Sequence, residues 1–199
     1  MTASRIKRVA IGLWVLFFLA FMAIIWMRIL APSMTQTVAS TLGQGDYALT
    51  ATDGTPFTQA TLRGTPSAVF FGFTHCPEVC PTTMGDIASW KDELTKDGTD
   101  LRAFFVTVDP ERDTLGVLKD YVSWAPGITG VTGTPEEIRK AIQVFRIYAS
   151  KVPLQSGGYT MDHSASVLLF DRKGHLFEPI GYQEGFDRAI RKIKRMLNK

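Results

Sequence analysis

Phe70-Phe71-Gly72-Phe73-Thr74-His75-Cys76-Pro77-Glu78-Val79-Cys80-Pro81 closes an apolar run and holds both cysteines of the chain. Residues 67–73 carry no charge and are rich in Val and Phe, the pattern of a fully buried strand. Helical spacing resumes after Pro81 at Met84, Ile87, Trp90 and Leu94. The cysteines therefore sit in a strand-to-helix turn. If that turn is already helical, Cys76 and Cys80 stand at i and i+4 on one face, close enough to share a metal ion or to oxidise to a disulfide. A helix start also favours thiolates, because its unpaired N–H groups and dipole stabilise negative charge. Packing is the alternative use of buried cysteine, but a pair confined to one turn, each member followed by proline, is placed for reactivity. The spacing alone does not separate a metal site from a redox dithiol.

Towards the N-terminus, residues 9–27 are nineteen consecutive uncharged positions, enough to cross roughly 30 Å of hydrocarbon as a helix. The sequence thus predicts a cytoplasmic N-terminus over residues 1–8, a transmembrane anchor over 9–28, a flexible tether over 29–45 and one domain over 46–199. Arg5, Lys7 and Arg8 precede the span while only Arg28 follows closely, so the positive-inside bias places the cysteines across the membrane from the cytoplasm. A cleaved signal peptide competes with this reading, but its apolar region would run to about 7–15 residues before a small-x-small site. Here the run is longer and Met27-Arg28-Ile29-Leu30 follows it.

Those four cations are the source of the basic balance. Removing them from the 22 basic residues leaves 18 against 19 acidic ones, which argues against nucleic acid as a partner. The remaining basic cluster, Arg188, Arg191, Lys192, Lys194, Arg195 and Lys199, alternates with Phe186, Ile190, Ile193 and Leu197. It predicts an amphipathic closing helix whose basic face suits an anionic membrane surface better than nucleic acid.

Within the domain, Tyr47, Leu49 and Phe57 around Asp53-Gly54 predict a short hairpin ahead of the central strand. A helix is expected over about 82–96. Residues 101–108 read as a second buried strand ending at Asp109-Pro110. Strand, helix, strand implies a parallel pair, and the handedness of such crossovers opens the Cys turn and Asp109 at the same carboxyl edge. Leu115, Leu118, Tyr121 and Val122 mark a further helix. Thr134-Pro135-Glu136-Glu137 reads as a capping box with proline at the first helical position, continued by Ile138, Ala141, Ile142 and Phe145. Residues 151–162, with Pro153, Gly157 and Gly158, read as a loop, and 166–170 with 175–180 as a hairpin. Asp109 is either a turn former or a group acting on the Cys turn. Of the three histidines, His175 lies on a solvent-facing hairpin arm and His75 is expected to point away from the sulfurs. His163 can hang over the Cys turn if the strand at 167–170 neighbours the central one, and ligand and loop-structural roles stand equally for it.

Four motifs in order, Phe-Thr-His-Cys-Pro-Glu-Val-Cys-Pro-Thr-Thr (73–83), Val-Asp-Pro-Glu-Arg-Asp-Thr (108–114), Ile-Thr-Gly (128–130) and Tyr-Thr-Met-Asp-His-Ser-Ala (159–165), resemble the Sco/SenC family. The resemblance covers about 46–195. It implies an α/β, thioredoxin-like fold with a central mixed sheet flanked by helices, preceded by one N-terminal transmembrane helix. It further implies a membrane-anchored protein that handles copper during assembly of cytochrome c oxidase. Cys76, Cys80 and His163 would be the copper ligands, with Asp109 near the site as a supporting or docking group. The implied partners are the copper-bearing oxidase subunit, other copper chaperones or thiol reductants, and membrane lipid through the anchor. The implied location is the bacterial inner (plasma) membrane, single-pass, with the C-terminal domain periplasmic.

The chain departs from the wider thioredoxin group in having three residues between its cysteines and no proline in Asp162-His163-Ser164-Ala165, where thioredoxins carry a cis-proline. Two thiolates and an imidazole form a soft three-ligand set that suits Cu(I), and the nitrogen also tolerates Cu(II); zinc would take the same ligands but prefers a fourth. Met84 and Met161 are assigned to packing. The resulting expectation is copper delivery. The alternative is a thiol-disulfide reductase with Cys76 and Cys80 as the catalytic, exchanging pair. A peroxidase is disfavoured for want of an arginine beside Cys76, Arg112 being the one cation to watch.

Overall fold

The computed structural model describes residues 3–29 and 38–198, with side chains over 11–26 and 39–198. The chain divides into two compact units, Met1–Thr37 and Val38–Lys199. The first contains one helix, α1 (Ala3–Ile29). Its described side chains are apolar and mostly exposed, among them Trp14, Phe17, Phe18 and Trp26. Among the described residues no helix is long and apolar enough to cross a membrane. The anchor expected over 9–28 therefore rests on the sequence pattern alone. Of the expected tether over 29–45, residues 30–37 lie outside the described residues. From Val38 on, α2 (Val38–Thr41) leads to the buried Leu42.

The second unit is built on a seven-stranded mixed sheet. In chain order its strands are β1 (Leu49–Ala51), β2 (Pro56–Phe57), β3 (Ser67–Gly72), β4 (Arg102–Thr107), β5 (Ile128–Thr132), β8 (Val167–Phe170) and β9 (Leu176–Ile180), and they lie side by side as β2-β1-β5-β4-β3-β8-β9. The segment quoted first sits near the middle because it can be buried on both faces: every residue of β3 is buried. β3 pairs parallel with β4, and β4 with β5, while β8 joins the other side of β3 antiparallel. Alternation then sorts the side chains by face. Phe70 meets Phe105 and His163 on one face, and Phe71 meets Phe145 on the other. β5 is a strand the sequence pattern does not announce, since Thr129, Gly130 and Thr132 dilute its apolar signal.

The helices are α3 (Val79–Lys96), α4 (Leu115–Val122), α5 (Pro135–Val144) and α6 (Phe186–Leu197). α3 begins three residues earlier than its apolar spacing indicates, because Pro81 occupies the first turn, where its missing N–H has no partner to lose. In α5, Thr134 caps the Glu137 N–H as expected. The reciprocal half of the capping box is replaced, because the Glu137 carboxylate accepts from the Ala48 N–H beside β1 at 2.7 Å. α6 buries Ala189, Ile190, Ile193 and Met196 and turns its cations outward. That basic face is largely neutralised: Lys192 pairs with Glu184, Lys194 with Asp97 and Arg195 with Glu178. Lys199 lies outside the described residues.

Residues 151–162, expected as a loop, instead form most of a separate two-stranded sheet. β6 (Ala149–Pro153) pairs antiparallel with β7 (Tyr159–His163). Gly157 and Gly158, at φ of 88° and 76°, supply the left-handed turn that a residue with a Cβ would resist. His163 thus closes a strand rather than a loop.

Candidate metal centre

The chain leaves β3 at Gly72, turns through Thr74 and enters α3 at Val79, with Glu78 as an N-cap that makes no side-chain capping bond. The vacant cap is filled by sulfur: the Cys80 N–H, one of the orphan donors of the first helical turn, points at Cys76 Sγ at 3.3 Å. Cys80 itself is buried and Cys76 half-buried, and both are free thiols. The fit around Cys80 is close. A Cβ on Gly72 would lie 2.8 Å from Cys80 Sγ and 2.8 Å from the Phe105 ring.

β7 delivers His163 from above this turn. Its Nε2 stands 3.5 Å from Cys80 Sγ, and its ring lies edge-on to Phe70 and Phe73 with centroids 6.2 and 5.7 Å away. Nδ1 lies 2.9 Å from the Ser164 carbonyl oxygen. A carbonyl only accepts, so Nδ1 carries a proton and Nε2 is the nitrogen turned towards the sulfurs. The ligand atoms of Cys76, Cys80 and His163 all lie within 4.8 Å of one another. This is a preformed soft donor set of two sulfurs and one nitrogen, with the imidazole oriented by a backbone acceptor as metal-bound histidines commonly are. Its donor chemistry suits a Cu(I) ion.

The two sulfurs are electrostatically unlike. The hydrogen bond shared with Cys80 is the main influence that draws the Cys76 thiol down, with help from His163 and the helix-start amides, to about 4 against the opposing effect of burial. The same shared bond, together with burial, pushes Cys80 up. One proton held between the sulfurs describes both: Cys76 is the thiolate and Cys80 the donor. Tyr121, its ring tilted against Phe105 with centroids 5.5 Å apart, leaves its hydroxyl buried without a hydrogen-bond partner among the described residues, and burial with the nearby sulfur charge raises its pKa and so disfavours its ionisation.

Asp109 and the Cys turn do share the carboxyl edge of the sheet, yet Asp109 does not reach the cysteines. Its buried carboxylate accepts from Arg112 Nε and from the Tyr159 hydroxyl, the latter at 2.8 Å. The carboxylate beneath the Cys turn is Asp113. It accepts from the Thr74 N–H (3.0 Å), the Thr74 hydroxyl (2.6 Å) and the Thr107 hydroxyl (2.6 Å), and is fully buried. Asp113 lies in the same 108–114 motif, and its signal was the second aspartate four residues after the first. Tyr159 was signalled by its place four residues before His163, which on a strand puts both on one face. His75 is exposed and His175 half-buried, and neither joins the cluster. Met84 is core, and Met161 packs against it.

Residues 35–198 match the model of the SCO1/SenC family. The mitochondrial protein SCO1 of Saccharomyces cerevisiae is 37% identical over 149 residues, 71% of this chain and 50% of that protein. The chain spans about half the length of the curated relatives that it matches. A structure of Bradyrhizobium japonicum ScoI with copper bound is 41% identical, with a TM-score of 0.71 over 78% of this chain and 99% of that one. BsSco, described as a member of the Sco family of cytochrome c oxidase assembly proteins with a disulfide switch, shares the fold at 22% identity and a TM-score of 0.64, covering 79% and 94% of the two chains. With the family match covering well over half of its length, and its thioredoxin-like sheet carrying the paired cysteines and the late histidine, the chain belongs to the SCO1/SenC family.

Proposed function

We propose that this protein is a membrane-anchored copper carrier that binds one copper ion through Cys76, Cys80 and His163 and serves assembly of the copper centre of cytochrome c oxidase. The observation that carries the reading is the convergence of three soft and borderline donors within 4.8 Å, two from a helix start and one from a hairpin 83 residues on. The Cys76 thiolate supplies charge, Cys80 can lose its shared proton to the incoming cation, and the Nδ1 bond to the Ser164 carbonyl turns Nε2 towards the sulfurs. The copper-bound ScoI relative and the family's link to oxidase assembly support the cargo and the client. The uncharged run over 9–27 supports the anchor, with the domain on the periplasmic side of a bacterial inner membrane.

The test is an anaerobic Cu(I) titration of the full chain in detergent against a chromophoric chelator. One equivalent per chain is expected. Cys76→Ser and Cys80→Ser should abolish tight binding, and His163→Ala should weaken it by about 10- to 100-fold while both thiols stay reduced. Full affinity in the His163 variant would remove that residue from the site.

One observation favours a second reading. The split thiolate–thiol pair also suits exchange, in which the Cys76 thiolate attacks a client disulfide and the Cys80 sulfur then resolves the mixed disulfide. An upstream thiol reductant would regenerate the dithiol. Exchange needs only the sulfurs. Oxidase assembly that survives His163→Ala in cells, yet fails without either cysteine, would replace the carrier by the reductase.

A further inference from the structure

The hairpin that carries His163 makes no backbone ladder with the sheet that positions the cysteines. At its base it is closed upon itself, through Tyr148 and Ser164. Residues 164–166 connect His163 to β8 and Ala149 and Met161 pack against the core, so the tilt of the hairpin also depends on how its far end is held. At that end stands Tyr159, on the same face of β7 as His163 and roughly 13 Å away at strand rise.

Tyr159 is held by three contacts. Its hydroxyl donates to the buried Asp109 carboxylate at 2.8 Å, its carbonyl accepts from Arg112 Nη1 at 3.0 Å, and its ring lies under the Arg112 guanidinium, 4.0 Å from centroid to carbon. Arg112 is held in turn by Nε on Asp109. Lys151 on the opposing strand adds a bond to Glu111 and a second cation over the same ring, at 4.5 Å. The segment they grip follows β4 directly and continues into Asp113, which binds Thr74 two residues before Cys76. A continuous run of contacts therefore leads from the Cys turn through Asp113, Asp109 and Arg112 to Tyr159, and along β7 to the imidazole.

We infer that Tyr159 and Arg112 are positioning residues for His163: they latch the hairpin to the 109–113 segment and thereby hold Nε2 at ligand distance from the sulfurs. This rests on the copper-site reading. It assigns a role to residues that touch neither the sulfurs nor the imidazole.

Tyr159→Phe tests it, because the variant keeps the ring under Arg112 and removes only the bond to Asp109. In the full chain in detergent, Cu(I) affinity should fall about tenfold, the low end of what supporting partners of metal ligands contribute. In a His163→Ala background the same change should have no further effect. An equal loss in both backgrounds, or none in either, overturns the latch. The second readout is made on metal-free protein, where the His163 ring resonances should broaden or shift in Tyr159→Phe while the thermal midpoint stays within a few degrees of wild type. Unchanged resonances also overturn the latch. If His163→Ala leaves Cu(I) affinity intact, the ligand reading fails instead, and the metal-free resonances still decide whether the latch orients the ring.

Discussion

At the scale of single residues the centre depends on protons already being in the right place. A lowered thiol pKa means that Cys76 stays ionised as pH falls, down to about 4, whereas an ordinary thiol near 8.5 loses its thiolate tenfold per unit below that value. Alkylation of metal-free protein by iodoacetamide, followed by peptide mapping, should therefore modify Cys76 first, at a rate nearly level from pH 8 to pH 5, with Cys80 protected. A tenfold fall per unit would show an unperturbed thiol. Asp113 makes the complementary case. Asp113→Ala strands the Thr74 N–H and the Thr107 hydroxyl in a dry site, and should lower stability by about 3–5 kcal/mol. The check is the urea midpoint at constant slope; a loss below about 1 kcal/mol would mean that water reaches the vacated site. The cysteine pair was legible in the sequence because its residue type is scarce and confined to one turn, whereas spacing left His163 evenly between ligand and loop and only the family resemblance singled it out. The division of labour between Asp109 and Asp113 was not legible, since both lie in one motif and only the path of the chain after β4 decides which carboxylate turns towards Thr74.

Elements were legible where burial imposed a single pattern. β3 and β4 are apolar without interruption and were read correctly, as was the parallel crossover between them. The β6–β7 hairpin was missed because it joins no strand of the main sheet: its residues are half-buried or exposed, so no alternation of apolar and polar positions records it. The close contact between β3 and α3 yields a prediction of its own. Gly72→Ala would press a methyl group against Cys80 Sγ and Phe105 and should cost about 1–3 kcal/mol as overpacking. It should also weaken Cu(I) binding although no ligand is changed. Melting and titration of the same variant test both halves, and wild-type values in each would show that the sulfur has room to move.

For the whole molecule, the proposed anchor carries a prediction of orientation, drawn from the cations on either side of residues 9–27. A reporter fused after Lys199 should be active only outside the cytoplasm, and cytoplasmic activity would reverse the topology. The order of the chain also matters in a way that distance does not express. Cys80 Sγ and the His163 imidazole, 3.5 Å apart in space, are separated by 83 residues of sequence. At roughly 5–20 residues per second of synthesis, that interval is about 4–17 s. During it the dithiol exists without its histidine, and without the β8 strand that completes the wall beside it. Geometry thus becomes a schedule: on every new molecule the two sulfurs are made first and the third ligand later, so the centre passes through an interval as a bare dithiol.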